Sequence, residues 1–213
     1  MRVAPLLLPI IAFAALAGAV LSIGVLPGDA WLGDLVQAHT GPALVAVMHW
    51  INYAGNWRVL VPAAPLLLLF PRARRHWWVW LTVIVAAPVF ESLLKPVIGR
   101  PRPESAAFGF PSGHATAAAA YFGALIYAAA DLRPVARRIV RAAAACLIVL
   151  VGLARIVLHA HWPSDVLGGI ALGLACAAAG ALISSPTARS RAGSTSPEPP
   201  SRDAPSRTPP VRG

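Results

Sequence analysis

Six apolar stretches recur along the chain, separated by short polar or basic connections. The first runs from about Val3 to Leu26 without a charge, and the second from about Val59 to Phe70, with a start as early as Asn56. The others span about Trp77 to Lys95, Gly113 to Ala130, Ile139 to Leu158 and Ser164 to Ser184. Most are apolar on every face and near the length that crosses a bilayer as a helix, about 20 residues. The pattern predicts an all-α polytopic membrane bundle of about six transmembrane helices. The first stretch is read as a retained helix; a cleaved signal peptide is the rival, because Ala15-Leu16-Ala17 resembles a cleavage site. Residues 27–57 are mixed, with Asp29, Asp34, Trp31, Trp50 and Trp57, and read as an interfacial loop with a short helix lying flat on the membrane.

Composition agrees. Of 213 residues, 57% are hydrophobic and only 12% charged, against about 25% charged in soluble domains. The organisation expected is one membrane domain over residues 1–185 and a tail over 186–213. The tail is rich in Ser, Pro and Arg and too poor in large apolar residues to order itself. Cys146 and Cys176 lie inside apolar runs without metal-ligand spacing and are read as small buried hydrophobes.

The net charge of +10 invites a nucleic-acid reading, but the charges are distributed by topology. Arg2, the Arg72/74/75 loop, the Arg133/137/138/141 loop and the five tail arginines hold 13 of the 18 basic residues, all on one side of a six-span layout. The positive-inside rule makes that side cytoplasmic, with both termini inside, and nucleic acid is excluded as a partner. Arg58 reads as an outer interfacial anchor. Lys95, Arg100, Arg102 and Arg155 break the bias, because they cluster at the opposite face. Cations placed there call for a functional reason.

Three segments meet at that face. In KPVIGRPRPE, residues 95–104, Lys95, Arg100 and Arg102 offer donors suited to phosphate oxygens. In PSGHA, residues 111–115, Ser112 and Gly113 open a helix whose first N–H groups form an anion cradle, with His114 beside them. In ARIVLHAHWPSD, residues 154–165, His161 and Asp165 are one helical turn apart, with Pro163 suited to the first turn. A carboxylate so placed can take the Nδ1 proton and leave Nε2 free as nucleophile or base. Each segment alone also fits a bland reading: a basic loop on headgroups, a helix cap, a structural ion pair. Together they supply what phosphoryl transfer through histidine needs, with no metal-ligand cluster.

The three segments resemble the signature of the type 2 phosphatidic acid phosphatase superfamily: K-x-x-x-x-x-x-R-P, P-S-G-H and S-R-x-x-x-x-x-H-x-x-x-D. One position departs, since Ala154 stands where the family has serine. The resemblance implies that His161 is the nucleophile, forming a phosphohistidine, and that Asp165 orients it. It implies that His114 protonates the leaving group and then activates water. Lys95, Arg102, Arg155, Ser112 and Gly113 would hold the phosphate, with no metal or other cofactor. His159 matches no catalytic position and reads as interfacial. Arg100 is unassigned, free to meet a headgroup or a second phosphate. Glu91, one turn before Lys95, is placed to steer its ammonium.

The expected activity is therefore hydrolysis of a lipid phosphate or diphosphate at the outer face of the plasma membrane. Undecaprenyl diphosphate is the first expectation, and phosphatidic acid and phosphatidylglycerophosphate are close rivals. A lipid phosphotransferase is a further alternative. A non-enzymatic anion-binding protein or transporter is disfavoured because Glu91 is the one charge at mid-membrane depth in the spans. A soluble haloperoxidase of the same superfamily is disfavoured by the apolar spans.

Overall fold

The computed structural model describes residues 4–185; the tail expected over 186–213 lies outside them. They form a helical bundle, and among them the one β-type pairing is an isolated bridge between Pro101 and Phe108. The helices are α1 (Ala4–Ile23), α2 (Pro27–Ala38), α3 (Pro42–Tyr53), α4 (Trp57–Ala63), α5 (Pro71–Arg75), α6 (Trp77–Ile98), α7 (Gly113–Ala128), α8 (Pro134–Val157) and α9 (Pro163–Ile183). Four of them, α1, α6, α8 and α9, have 20 to 24 residues and are long and apolar enough to cross a membrane.

The structure revises two elements. The mixed stretch after α1 is two 12-residue helices, α2 and α3, rather than a loop with one short helix. The second apolar run is α-helical only to Ala63 and continues as a 3-10 turn over Ala64–Leu69. Pro62 and Pro65 explain the change, since each removes a backbone donor and crowds the preceding turn. The junction leaves the Ala63 carbonyl to the Tyr121 hydroxyl, which donates to it at 2.9 Å.

At the centre lies α7. Every residue from Ala115 to Ala124 is buried, as expected for a helix apolar on all sides. Its closest partner is α9, with α8 and α6 packed on its other sides. Small residues make the approach possible: a Cβ on Gly169 would lie 2.5 Å from the Ser112 carbonyl oxygen and 3.0 Å from Ala115 Cβ. This is the close packing that small residues allow between membrane helices. At the far end of α7 the Ile126 carbonyl accepts from Arg141 Nε at 3.2 Å, and the Ala130 carbonyl, in the turn just past the helix, accepts from Arg137 at 3.3 Å, placing cations at the negative end of the dipole.

Most of the large apolar side chains of α1 and many on α6 point outward, including Leu8, Ile11, Val89 and Leu93. In a bilayer these surfaces face lipid. Cys146 also faces outward and Cys176 is half-buried, so neither is fully buried as the sequence suggested. The first turn of α7, the last turns of α6 and α8, and the start of α9 share one end of the bundle, and the chemistry-bearing segments lie there.

Candidate active site

Each site residue arrives by a local rule of helix ends. α6 stops at Gly99, which takes a left-handed φ of 67° and donates to the Lys95 carbonyl at 2.8 Å, the usual glycine stop. Lys95 thus sits in the last turn, and its ammonium pairs with Glu91. The chain then turns back on itself. Arg102 N–H donates to the Ala107 carbonyl at 3.0 Å and Arg102 Nε to Phe108 O at 3.2 Å. α9 starts with Pro163, and Asp165, three residues past the cap, accepts the Trp162 N–H through Oδ2 at 3.0 Å.

His161 and Asp165 are nearly sealed from solvent, at 2% and 0% exposure. The same Asp165 Oδ2 lies 3.4 Å from His161 Nδ1, a loose contact of the kind that tightens when substrate binds. The Asp165 backbone carbonyl accepts the Ser112 N–H at 2.9 Å, which ties the starts of α7 and α9 together. Gly55 packs on the first turn of α7: a Cβ there would stand 2.9 Å from the His114 carbonyl oxygen and 3.1 Å from His114 Cβ.

Burial holds the His161 imidazole well below its usual pKa, and the positive charges of Arg155, Arg102 and Lys95 push the same way. Hydrogen bonding to the Gly109 backbone acts in the opposite sense. His161 is therefore a neutral ring among cations. The charges of Arg155, Lys95 and Arg102, and the ring of His161, also lie within electrostatic reach of His114. Lys95, Arg102, Arg155, His114 and His161 thus lie within electrostatic reach of one another at this end of the bundle.

Two polar atoms in it are buried without a partner among the described residues, Ser112 Oγ and Arg155 Nε. Such orphans are costly unless a ligand supplies the missing bond. An anion with several acceptor oxygens would supply it. The helix start at Gly113 adds partial positive charge to the same place.

Residues 76–187 match the family model described as the PAP2 superfamily. The chain belongs to that superfamily. This PAP2 chain is 30% identical over 174 residues to phosphatidylglycerophosphatase B of Bacillus subtilis, covering 76% of the chain and 86% of the relative. It is 30% identical over 158 residues to decaprenylphosphoryl-5-phosphoribose phosphatase of Mycobacterium tuberculosis, covering 68% and 81%. The crystal structure of a transmembrane PAP2-type phosphatidylglycerolphosphate phosphatase from Bacillus subtilis superposes with a TM-score of 0.72 at 27% identity, over 82% of this chain and 92% of that one. The chain is thus a membrane protein of a lipid phosphatase family.

Arg100, left unassigned by the sequence, finds its partners inside the protein. Arg100 meets neither headgroup nor second phosphate: it is 3% exposed and bound to Asp29, Ser164 and Asp165. His159 is partly exposed and pairs with Glu104 at 2.6 Å. Sequence reading missed Asn52, whose Oδ1 accepts from Arg155 at 2.7 Å. It also missed Gln37, whose amide donates to the Ile156 and Val157 carbonyls at the end of α8. Both come from α2 and α3, which carry no recognisable motif.

Proposed function

We propose that the chain hydrolyses the terminal phosphate of a membrane lipid through a phosphohistidine at His161. The observation that carries this reading is the buried His161 beside Asp165, within electrostatic reach of Lys95, Arg102 and Arg155, with Ser112 Oγ and Arg155 Nε left unpartnered among the described residues. Lys95, Arg102, Arg155, Ser112 and the Gly113 amide bind the phosphoryl oxygens. His161 Nε2 attacks phosphorus in line while its Nδ1 proton stays with the Asp165 carboxylate. The P–O bond to the lipid breaks, and His114 gives its proton to the departing oxygen. His114 then takes a proton from water, which attacks the phosphohistidine and frees inorganic phosphate and His161. The step needs charge stabilisation and proton transfer, which these side chains supply without a metal.

The apolar tail has a place beside the headgroup. A cavity of about 530 Å³ lies between α4 and α6, lined by Trp57, Val61, Val85, Val89 and Leu93, with Glu91 at its edge. The basic connections at the opposite end of the bundle support a site on the extracytoplasmic face of the plasma membrane, six spans and cytoplasmic termini.

Similarity to a phosphatidylglycerophosphatase favours phosphatidylglycerophosphate as substrate. The second reading, undecaprenyl diphosphate, is favoured by similarity to a phosphatase of a decaprenyl-linked lipid. The test is phosphate release by the detergent-purified protein in EDTA, with these two lipids and phosphatidic acid, beside the His161→Ala variant. Release by the unsubstituted protein alone is expected, and the order of kcat/KM values chooses the lipid. Release by both proteins, or by neither, overturns the proposal.

A further inference from the structure

Two helices of this chain start with the same four-residue grammar. α2 opens on Leu26-Pro27-Gly28-Asp29 and α9 on Trp162-Pro163-Ser164-Asp165. In each, proline takes the first helical position and the aspartate's Oδ2 accepts the N–H of the residue before it, at 3.2 Å from Leu26 and 3.0 Å from Trp162. Helix capping alone would leave both carboxylates near water. Instead both are buried, and they meet on one guanidinium.

That guanidinium is Arg100. One terminal nitrogen donates to Asp165 Oδ1 at 3.0 Å and to Ser164 Oγ at 2.6 Å, and the other donates to Asp29 Oδ2 at 2.5 Å. Asp29 further accepts the Ser164 N–H (2.8 Å) and hydroxyl (2.7 Å). The side chains of Arg100, Asp29 and Asp165 are 1%, 3% and 0% exposed. A buried ion cluster of this kind is weak evidence for stability, because desolvation offsets most of the attraction. Its geometry has a clearer consequence. Arg100 holds Asp165 Oδ1 while the Trp162 N–H holds Oδ2, and together they keep Oδ2 turned to His161 Nδ1.

We infer that Asp29 and Arg100 are positioning residues for the reaction: Asp29 fixes Arg100, Arg100 fixes the Asp165 carboxylate, and α2 is thereby coupled to the nucleophile. Asp29 lies outside the residues matched by the family model, so this support comes from the less regular part of the chain. The inference rests on the proposed roles of His161 and Asp165.

The experiment is a coupling cycle on the full chain in detergent. Asp29→Asn and Arg100→Gln are each made alone and together with Asp165→Asn, and kcat, KM and melting temperature are measured. Alone, each is expected to lower kcat by about tenfold or more with KM held within about twofold. In the Asp165→Asn background the same substitutions are expected to change kcat little, because the group they act through is already disabled. Three results overturn the inference: undiminished effects in that background, unchanged kcat in a folded Asp29→Asn protein, or loss of the folded protein in both single variants. If Asp165→Asn and His161→Ala leave phosphate release intact, the proposed roles themselves fall, and this inference with them.

Discussion

Glu91 occupies the space that a side chain on Gly113 would need: a Cβ there would lie 2.8 Å from Glu91 Oε1 and 3.1 Å from its Cδ. The glycine that opens α7 and the carboxylate that holds Lys95 are therefore fitted to each other. Alanine at 113 is a better helix former than glycine, so stability should barely move. The new methyl must push the Glu91 carboxylate aside, and Lys95 moves with it. Gly113→Ala is expected to lower kcat/KM by about tenfold or more while the melting temperature stays near that of the unsubstituted protein. A parallel loss of both would locate the damage in folding rather than at the site.

Glu91→Gln tests the other partner. Removing the charge frees the flexible Lys95 stem, which weakens phosphate binding. It also removes a negative charge beside the Gly113 amide, which acts the other way. Lys95 touches Glu91 directly, so the lost anchor should dominate and kcat/KM should fall several-fold, mainly through KM. An unchanged or raised kcat/KM would end the steering role.

Much of this molecule was legible in its sequence, and the illegible part has a physical pattern. The apolar runs announced α1, α6, α8 and α9 because lipid-facing and core-facing surfaces are both apolar. The Pro-Ser-Gly-His and His-x-x-x-Asp spacings pointed to the candidate site because helix ends place such residues by local rules. α2 and α3 stayed hidden because their mixed composition serves two surroundings at once. Trp31 and Trp50 are 67% and 78% exposed, while Asp29, Gln37 and Asn52 turn inward to the site. Arg100 stayed unassigned because its partners at 29 and 165 are distant in sequence, and nothing local marks a buried arginine.

The contact between α7 and α9 makes a prediction about folding. At Gly169 the nearest neighbours are the Ser112 carbonyl oxygen and Ala115 Cβ, neither of which can swing away as a long side chain could. Gly169→Ala should wedge the start of α7 off α9 and cost about 1–3 kcal/mol, the usual penalty for overpacking. Since Ser112 N–H donates to the Asp165 carbonyl across the same contact, activity should fall with stability. Thermal melting in detergent beside phosphate release checks both; a melting temperature at or above the original would show that the contact has slack.

The electrostatics of His161 predict how pH acts on this chain. An unperturbed histidine titrates near pH 6.5, and burial with three neighbouring cations holds His161 well below that. Its nucleophilic form is the neutral ring, so His161 should impose no acid limb near pH 6.5 on kcat/KM. Stability follows from the same displacement. Between the lowered value and about pH 6.5 the unfolded chain binds a proton at this position that the folded chain refuses. Acidification through that window therefore favours unfolding, and the contribution is fully restored above it. The melting temperature should fall as pH drops below about 6.5, and His161→Asn, which has no proton to gain, should flatten that fall. An equally steep fall in His161→Asn would assign the acid sensitivity to other groups.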